Sequence, residues 1–440
     1  MAPDSSSSRK QSVIYCEGSP SWNPDAYLAD AELHARAEAH LAEDDLRWAI
    51  ATSFSLPKTD TYVYHAMVAV TLPQVQQVVS LGGAHGLHSW YCGEPPEPTG
   101  PSLSPSRAKP QVPPVLPPPP QPDIDAYLSI FLPTNAAATA LKNFTANAKK
   151  GSLRRATGTY LASKRYIHPS LTALAKIPRA KPSRPAPANP YLSFLAWASK
   201  NLEWAGPNAS SVRARPSSHH VLPIMMHHFG CVCPSHEALE ILCVLADGRE
   251  IIDVGSGNGY WTRMLRDYHA FHAQHAPKSK SKPPAAVPLV TPVDSAQSSW
   301  RTNWVHDTLI ADGAAYLCTM RAGAKDAVLL LVYPIVGGGV AGGSEGGFTR
   351  SMLDAYDGDT VAVVGTQNHN GYTGFRNMTM DEFMTREHGD EWVKVVQVPL
   401  LSFPGKDEAL YVFQRGSRAP SRVAAEVVAQ ELVDQGKEST

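Results

Sequence analysis

The chain has 440 residues, 43% of them apolar, enough for two ordinary domains or for one with large irregular additions. A formal net charge of −1 excludes a molecule held as a whole to nucleic acid or membrane by charge, and no run reaches the roughly 18 apolar residues of a membrane span. Six scattered cysteines make no disulfide framework, and the opening MAPDSSSSRK lacks the apolar stretch of a secretory signal, so the expectation is a soluble protein of a reducing compartment, cytoplasmic or nuclear.

In chain order, residues 1–23 read as a polar, disordered N-terminus and 24–94 as a mainly helical region. Within it, Leu28, Ala31, Leu33, Ala37, Leu41 and Trp48 recur at helical spacing and predict one helix from Pro24 to about Ser53. Thr61–Leu72, rich in β-branched and aromatic residues, predicts a strand, and Leu72–Val79 the start of a helix. Residues 95–122 hold 13 prolines in 28 positions, an extended linker that carries neither helix nor ladder. Residues 123–218 form a helical, basic and proline-rich region: Asp123–Ala148 and Asn189–Trp204 read as helices, and from Ala126 to Leu202 twelve Lys or Arg occur with no acid. The basic 142–184 stretch has the charge to meet nucleic acid, but a solvated basic loop is the reading favoured here.

From Val221 strand-like apolar runs alternate with helical segments, the texture of an α/β fold with a mostly parallel sheet. Arg249–Val254 is an apolar run with an acid inside its end, followed by Gly255-Ser256-Gly257-Asn258-Gly259 and then by Tyr260–Tyr268, where Trp261, Met264, Leu265 and Tyr268 share a helical face. Strand, glycine turn and helix in that order suit a nucleotide-like ligand: the turn lets a ligand lie against bare backbone, and the helix start presents free N–H groups. Leu289–Val293 reads as the next strand, ending in Asp294, 41 residues after Asp253, the excess over a compact unit being the Lys/Pro/His-rich insert His269–Pro288. Thr308–Ala311 reads as a third strand followed by Asp312-Gly313, and Ala327–Tyr333 as a central strand buried on both faces. Phe348–Tyr356 reads as a crossover helix, Thr360–Gly365 as a fifth strand and Thr379–His388 as a further helix. Trp392–Val398 and Ala409–Phe413 lie only ten residues apart, too close for a helical crossover, so they should be antiparallel.

The spacing acid-x-Gly-x-Gly-x-Gly, with Asp253 two positions before the first glycine, differs from the GxGxxG of dinucleotide folds. It resembles the first motif of the class I S-adenosylmethionine-dependent methyltransferases, and the terminal antiparallel pair strengthens the likeness. The resemblance covers about 180 residues, roughly Pro234 to Arg415. It implies a Rossmann-like, seven-stranded, mostly parallel sheet with a terminal antiparallel hairpin over residues 219–416, preceded by the helical N-terminal region with its Pro-rich inserts and followed by a helical tail, 417–440. It implies S-adenosylmethionine as cofactor. Asp253, Gly255, Ser256, Gly257, Asn258 and Gly259 would meet the methionine part, Asp294 the ribose hydroxyls, and Asp312 with Gly313 the adenine.

The Asn/Asp-Pro-Pro-aromatic signature of many amino-directed members of the family is replaced here by Val332-Tyr333-Pro334-Ile335, which argues against an exocyclic base nitrogen or a glutamine amide as methyl acceptor. Tyr333, His369 in the polar loop Gln367–Tyr372, and His228 are the weak candidates for a catalytic group. Gly337–Gly347, seven glycines in eleven residues, reads as a flexible insertion or a lid. His219, His220, His227, His228, Cys231, Cys233 and His236 crowd before the first strand, but lack the paired arms of a zinc site; a segment leading past the cofactor pocket is the better reading, and no metal is expected. The expected function is methyl transfer to a small-molecule or protein acceptor, with no membrane partner. The alternatives are a non-catalytic binding protein on the same fold and an NAD(P)-dependent oxidoreductase.

Overall fold

The computed structural model describes residues 13–66, 68–82, 89–93, 115–171, 174, 177–212, 219–275, 289–335 and 344–420. The N-terminal part supplies α1 (Pro24–Ala29), α2 (Ala31–Ala42), α3 (Leu46–Ser53), β1 (Val63–His65), β2 (Ala69–Thr71), α4 (Leu72–Leu81), α5 (Gln121–Leu128), α6 (Ala137–Ala146), α7 (Leu153–Lys164), β3 (Tyr166–Ile167) and α8 (Pro190–Asn201). There follow α9 (Val221–Phe229), α10 (His236–Ala246), β4 (Ile251–Val254), α11 (Tyr260–His275), β5 (Val290–Asp294), β6 (Leu309–Ile310) and α12 (Gly313–Ala315). The chain ends through β7 (Val328–Val332), α13 (Gly347–Asp354), β8 (Thr360–Thr366), α14 (Met380–His388), β9 (Val393–Pro399) and β10 (Glu408–Gln414).

The main sheet runs in the order β3-β9-β10-β8-β7-β4-β5-β6. Strands β6, β5, β4, β7 and β8 are parallel, and β10 lies antiparallel between β8 and β9. The expected antiparallel hairpin is present. The sheet has eight strands rather than seven, because Tyr166 and Ile167 pair antiparallel with Gln397 and Val396 at its far edge. Alternation along the strands splits the core into two faces. Ile251, Val290, Leu330, Ala362 and Val364 face α10, α11 and the N-terminal helices in one continuous cluster. Ile252, Val254, Val293, Leu329, Leu331, Val361 and Val363 face the other side, with Met352 and Phe383.

Several sequence expectations are corrected by local chemistry. The single helix over 24–53 is three, because Asp30 and Asp45 each turn a carboxylate onto a following backbone N–H (Leu33 and Trp48) and start a new helix. The strand over 61–72 is a hairpin, with Val63 opposite Thr71. Asp123–Ala148 is broken into α5 and α6, with Pro133 between them. Helix starts two residues inside the stretch read as linker, since Pro122 sits in the first turn of α5, where its missing N–H costs nothing. The basic stretch is not all loop: Ser152 caps α7 through Arg155 N, and Arg154 and Arg165 pair with Asp123 and Glu237. The N-terminus is packed well before residue 24, for Cys16 and Trp22 are buried and the Trp22 indole N–H donates to Ser53 O at 2.9 Å. Helix α11 runs on to His275 through the first part of the expected insert. Residues 1–12 of the N-terminus, 95–114 of the linker, 276–288 of the insert, 337–343 of the glycine-rich stretch and 421–440 of the tail lie outside the described residues.

Candidate cofactor cavity

The parallel strands place their carboxyl ends on one edge of the sheet. From β4 the chain steps outward to β5 and β6, then crosses back to β7 and β8 on the other side. Such a reversal opens a crevice beyond the strand ends, where open α/β sheets take ligands. A cavity of about 350 Å³ lies there, within the usual range for a small-molecule site. Its lining includes Gly255, Ser256, Gly257 and Asn258 after β4, Asp294 at the end of β5, Asp312 and Gly313 after β6, and Tyr333 and Pro334 after β7.

The glycine turn is built for close approach. Gly257 has φ +57°, and a Cβ there would come within 3.0 Å of the Trp300 indole. Gly259 has φ +76°, and a Cβ there would meet Val305 Cγ2 at 2.3 Å, so this glycine serves packing beneath the turn rather than the cavity. Asp294 braces the same turn: its Oδ2 accepts from Gly257 N at 2.8 Å and its Oδ1 from Ala296 N at 2.7 Å. Asp312 caps α12, accepting from Ala315 N at 2.9 Å. Both carboxylates keep lone pairs for ligand hydroxyl or amino groups.

Asp253 lies under the turn and is fully buried. Its Oδ2 accepts from the Thr262 hydroxyl at 2.7 Å, while its Oδ1 is buried without a partner, as is the Ser256 hydroxyl. Burial, reinforced by the Asp294 charge, pushes the Asp253 carboxyl up to about 7. An orphaned buried acceptor beneath a glycine turn fits the amino end of a ligand, and the residues present fit an adenosyl amino acid.

The catalytic candidates divide. Tyr333 lines the cavity and is held at φ +55°, in the left-handed region that an aromatic residue rarely adopts. Its backbone N–H donates to Val364 O at 2.7 Å, and Lys406 Nζ stands 4.3 Å from its ring centroid. Burial raises its phenol, so the hydroxyl stays protonated. Lys406 is itself buried, donating to Cys231 O at 2.7 Å and pairing with Glu408 at 2.8 Å. His228 is not at the cavity. It is fully buried between the Tyr64 hydroxyl (3.0 Å from Nε2) and Thr302 Oγ1 (2.8 Å from Nδ1), stacked on Phe54, and burial pushes its pKa well below the histidine range. His369 is exposed and pairs with Glu382 at 3.1 Å, outside the lining.

The His/Cys-rich segment does pass the cavity, but through Gly230 and Cys231 rather than through the histidines. His227 contacts the Tyr62 hydroxyl and His65 O, and His236 the Tyr268 hydroxyl. Burial pushes the Cys231 thiol up to about 11 and also raises the Cys233 thiol well above its ordinary value. Among the described residues no three His, Cys, Asp or Glu gather as a metal site, and no helix is long and apolar enough to cross a membrane. Sequence reasoning missed three aromatic walls, Trp261, Trp300 and Phe348. Trp300 lies in an irregular loop with no periodicity to betray it.

Fold and cavity together define a mixed α/β protein with a mostly parallel sheet and a nucleoside-sized site at its switch point. No family model and no curated protein matches the chain. Among solved structures it is similar to the magnesium protoporphyrin IX methyltransferase of Synechocystis PCC 6803. The form with bound S-adenosylmethionine (SAM) gives 9% identity and a TM-score of 0.27, over 47% of this chain and 88% of that one. The form with bound S-adenosylhomocysteine (SAH) gives 11% and 0.26, over 47% and 91%. A likeness this shallow carries no argument; the functional reading rests on the cavity.

Proposed function

We propose that the chain binds S-adenosylmethionine in this cavity and transfers its methyl group to a small-molecule or protein acceptor. One observation carries the reading: the glycine turn after β4, Asp294 at the end of β5 and Asp312 after β6 line one cavity, with Asp253 buried beneath the turn. In this reading the orphaned oxygen of Asp253 and the turn take the amino acid part, Asp294 the ribose hydroxyls, and Asp312 with the N–H of Gly313 the adenine. The antiparallel β10 between β8 and β9 supports this ligand over a nicotinamide dinucleotide, whose folds carry all-parallel sheets.

The cofactor supplies a methyl carbon that is already activated. The chain's contribution is alignment, which supplies most of the rate in such transfers. Tyr333 and Pro334 form the wall facing the acceptor, and the protonated Tyr333 hydroxyl serves as a hydrogen-bond donor rather than a base. Neither His228 nor His369 takes part.

The test is transfer of a labelled methyl group from the cofactor into a cell extract. Incorporation that falls in Asp294→Ala and disappears in Gly257→Val is the expected result. Cofactor binding without incorporation would make the chain a binding module, and no binding would remove both readings.

A further inference from the structure

Trp300 forms part of the cavity wall, its indole against the bare face of Gly257. The residue beside it is among the most constrained in the molecule. Arg301 is 1% exposed, and its guanidinium donates to both oxygens of Asp60, at 2.6 and 2.7 Å, and to the Tyr64 hydroxyl at 2.5 Å. The Tyr62 ring lies 4.5 Å from it. The backbone of the same segment is held from two directions. Glu17 N donates to Arg301 O at 2.8 Å and Asn303 N to Tyr15 O at 2.7 Å, so the N-terminal strand-like segment runs along it. From the other side Thr302 N donates to His227 O at 3.2 Å, and Trp304 N to Asn258 O at 2.7 Å, within the glycine turn itself.

We infer that Arg301 and Asp60 are positioning residues that set the cavity wall: by locking residues 301–304 to the N-terminal region, they hold Trp300 against the glycine turn. The physical reason is that a bidentate guanidinium–carboxylate pair fixes orientation as well as distance. A side chain one residue away inherits that orientation, whereas an untethered loop would let the indole swing. The N-terminal region thereby contributes to cofactor affinity although none of its described residues lines the cavity. This inference rests on the cofactor reading above, and its test separates the two.

The experiment is calorimetry with S-adenosylhomocysteine on the full-length protein and on Trp300→Ala, Trp300→Phe, Arg301→Lys and the Trp300→Ala/Arg301→Lys double variant. Trp300→Ala should weaken binding roughly tenfold, and Trp300→Phe should keep most of the affinity. Arg301→Lys retains the charge but loses the fork, and should weaken binding several-fold. The double variant should be no weaker than Trp300→Ala alone, because both changes remove the same wall. Additive losses, or unchanged affinity in Arg301→Lys, would overturn the inference. Should Arg301→Lys fail to fold, Asp60→Asn takes its place. A second readout needs no ligand: acrylamide quenching of the Trp300 emission, taken as the difference from Trp300→Phe. It should rise in Arg301→Lys; equal quenching would refute the clamp. Absence of binding by the wild type would refute the cofactor reading, and the quenching result would then decide the clamp by itself.

Discussion

Asp253 is the residue whose chemistry is most exposed to test. Its carboxyl is raised to about 7 by burial, from an ordinary 3.8. The folded state therefore holds a proton that the unfolded chain releases, and the stability tied to that proton is complete below the unfolded value and lost as pH climbs through about 7. Binding of a ligand with an ammonium group runs the other way, since it favours the ionised form. Affinity for S-adenosylhomocysteine should rise across that same value with release of a proton, seen as heats that depend on the buffer, while thermal stability falls. Asp253→Asn should flatten both profiles; a variant that keeps the wild-type slopes would show that another group titrates. Asp294→Ala should lose about 1–3 kcal/mol of binding energy in calorimetry, the range for removing a buried hydrogen-bond partner. Gly257→Val should abolish binding, because its side chain would press on Trp300 at the cavity face, with the chain still folded by circular dichroism. Gly259→Ala should instead act on stability, since its Cβ would run into Val305 under the turn. The glycine turn at the cavity was legible from the spacing alone, because a turn between a strand and a helix is a local pattern. Trp300 was not legible, because its place is set by Arg301, whose partners lie some 240 positions earlier.

At the level of elements, most strands and helices from β4 onward were readable because they carry their own apolar period and end at a glycine, an acid or a cap; the three-residue α12 was not. Ser235 caps α10 through Ala238 N at 3.1 Å. The mistakes came where short-range chemistry competes with periodicity, as at Asp30 and Asp45, or where pairing is non-local. Two residues of β3 joining β9 carry no strand signal of their own. That edge is fixed by packing that includes the fork between Arg165, just after α7, and Glu237 in the first turn of α10, at 2.7 and 2.5 Å. Both side chains are largely buried, so removing one charge strands the other. Glu237→Gln should therefore cost about 3 kcal/mol in urea unfolding. A loss below about 0.5 kcal/mol, as for an exposed pair, would show that this fork does not tie the two helices together.

For the whole molecule, composition and motif indicated an α/β half with a helical half before it, but not how the two meet. They share one hydrophobic cluster, running from Trp22 and Phe54 through Phe194 and Phe229 to Met264 and Leu330. The N-terminal helices thus back the sheet face that carries the glycine turn, and one cavity at the switch point gathers the turn, Asp294, Asp312 and the aromatic walls, with Asp253 beneath the turn. That this cavity takes an adenosyl amino acid is decided by titrating the intact protein with S-adenosylhomocysteine in a calorimeter. Saturable binding of a single equivalent, weakened by Asp294→Ala and lost in Gly257→Val, is the expected result. A folded protein that gives no saturable binding, or one that binds equally well in both variants, would contradict it.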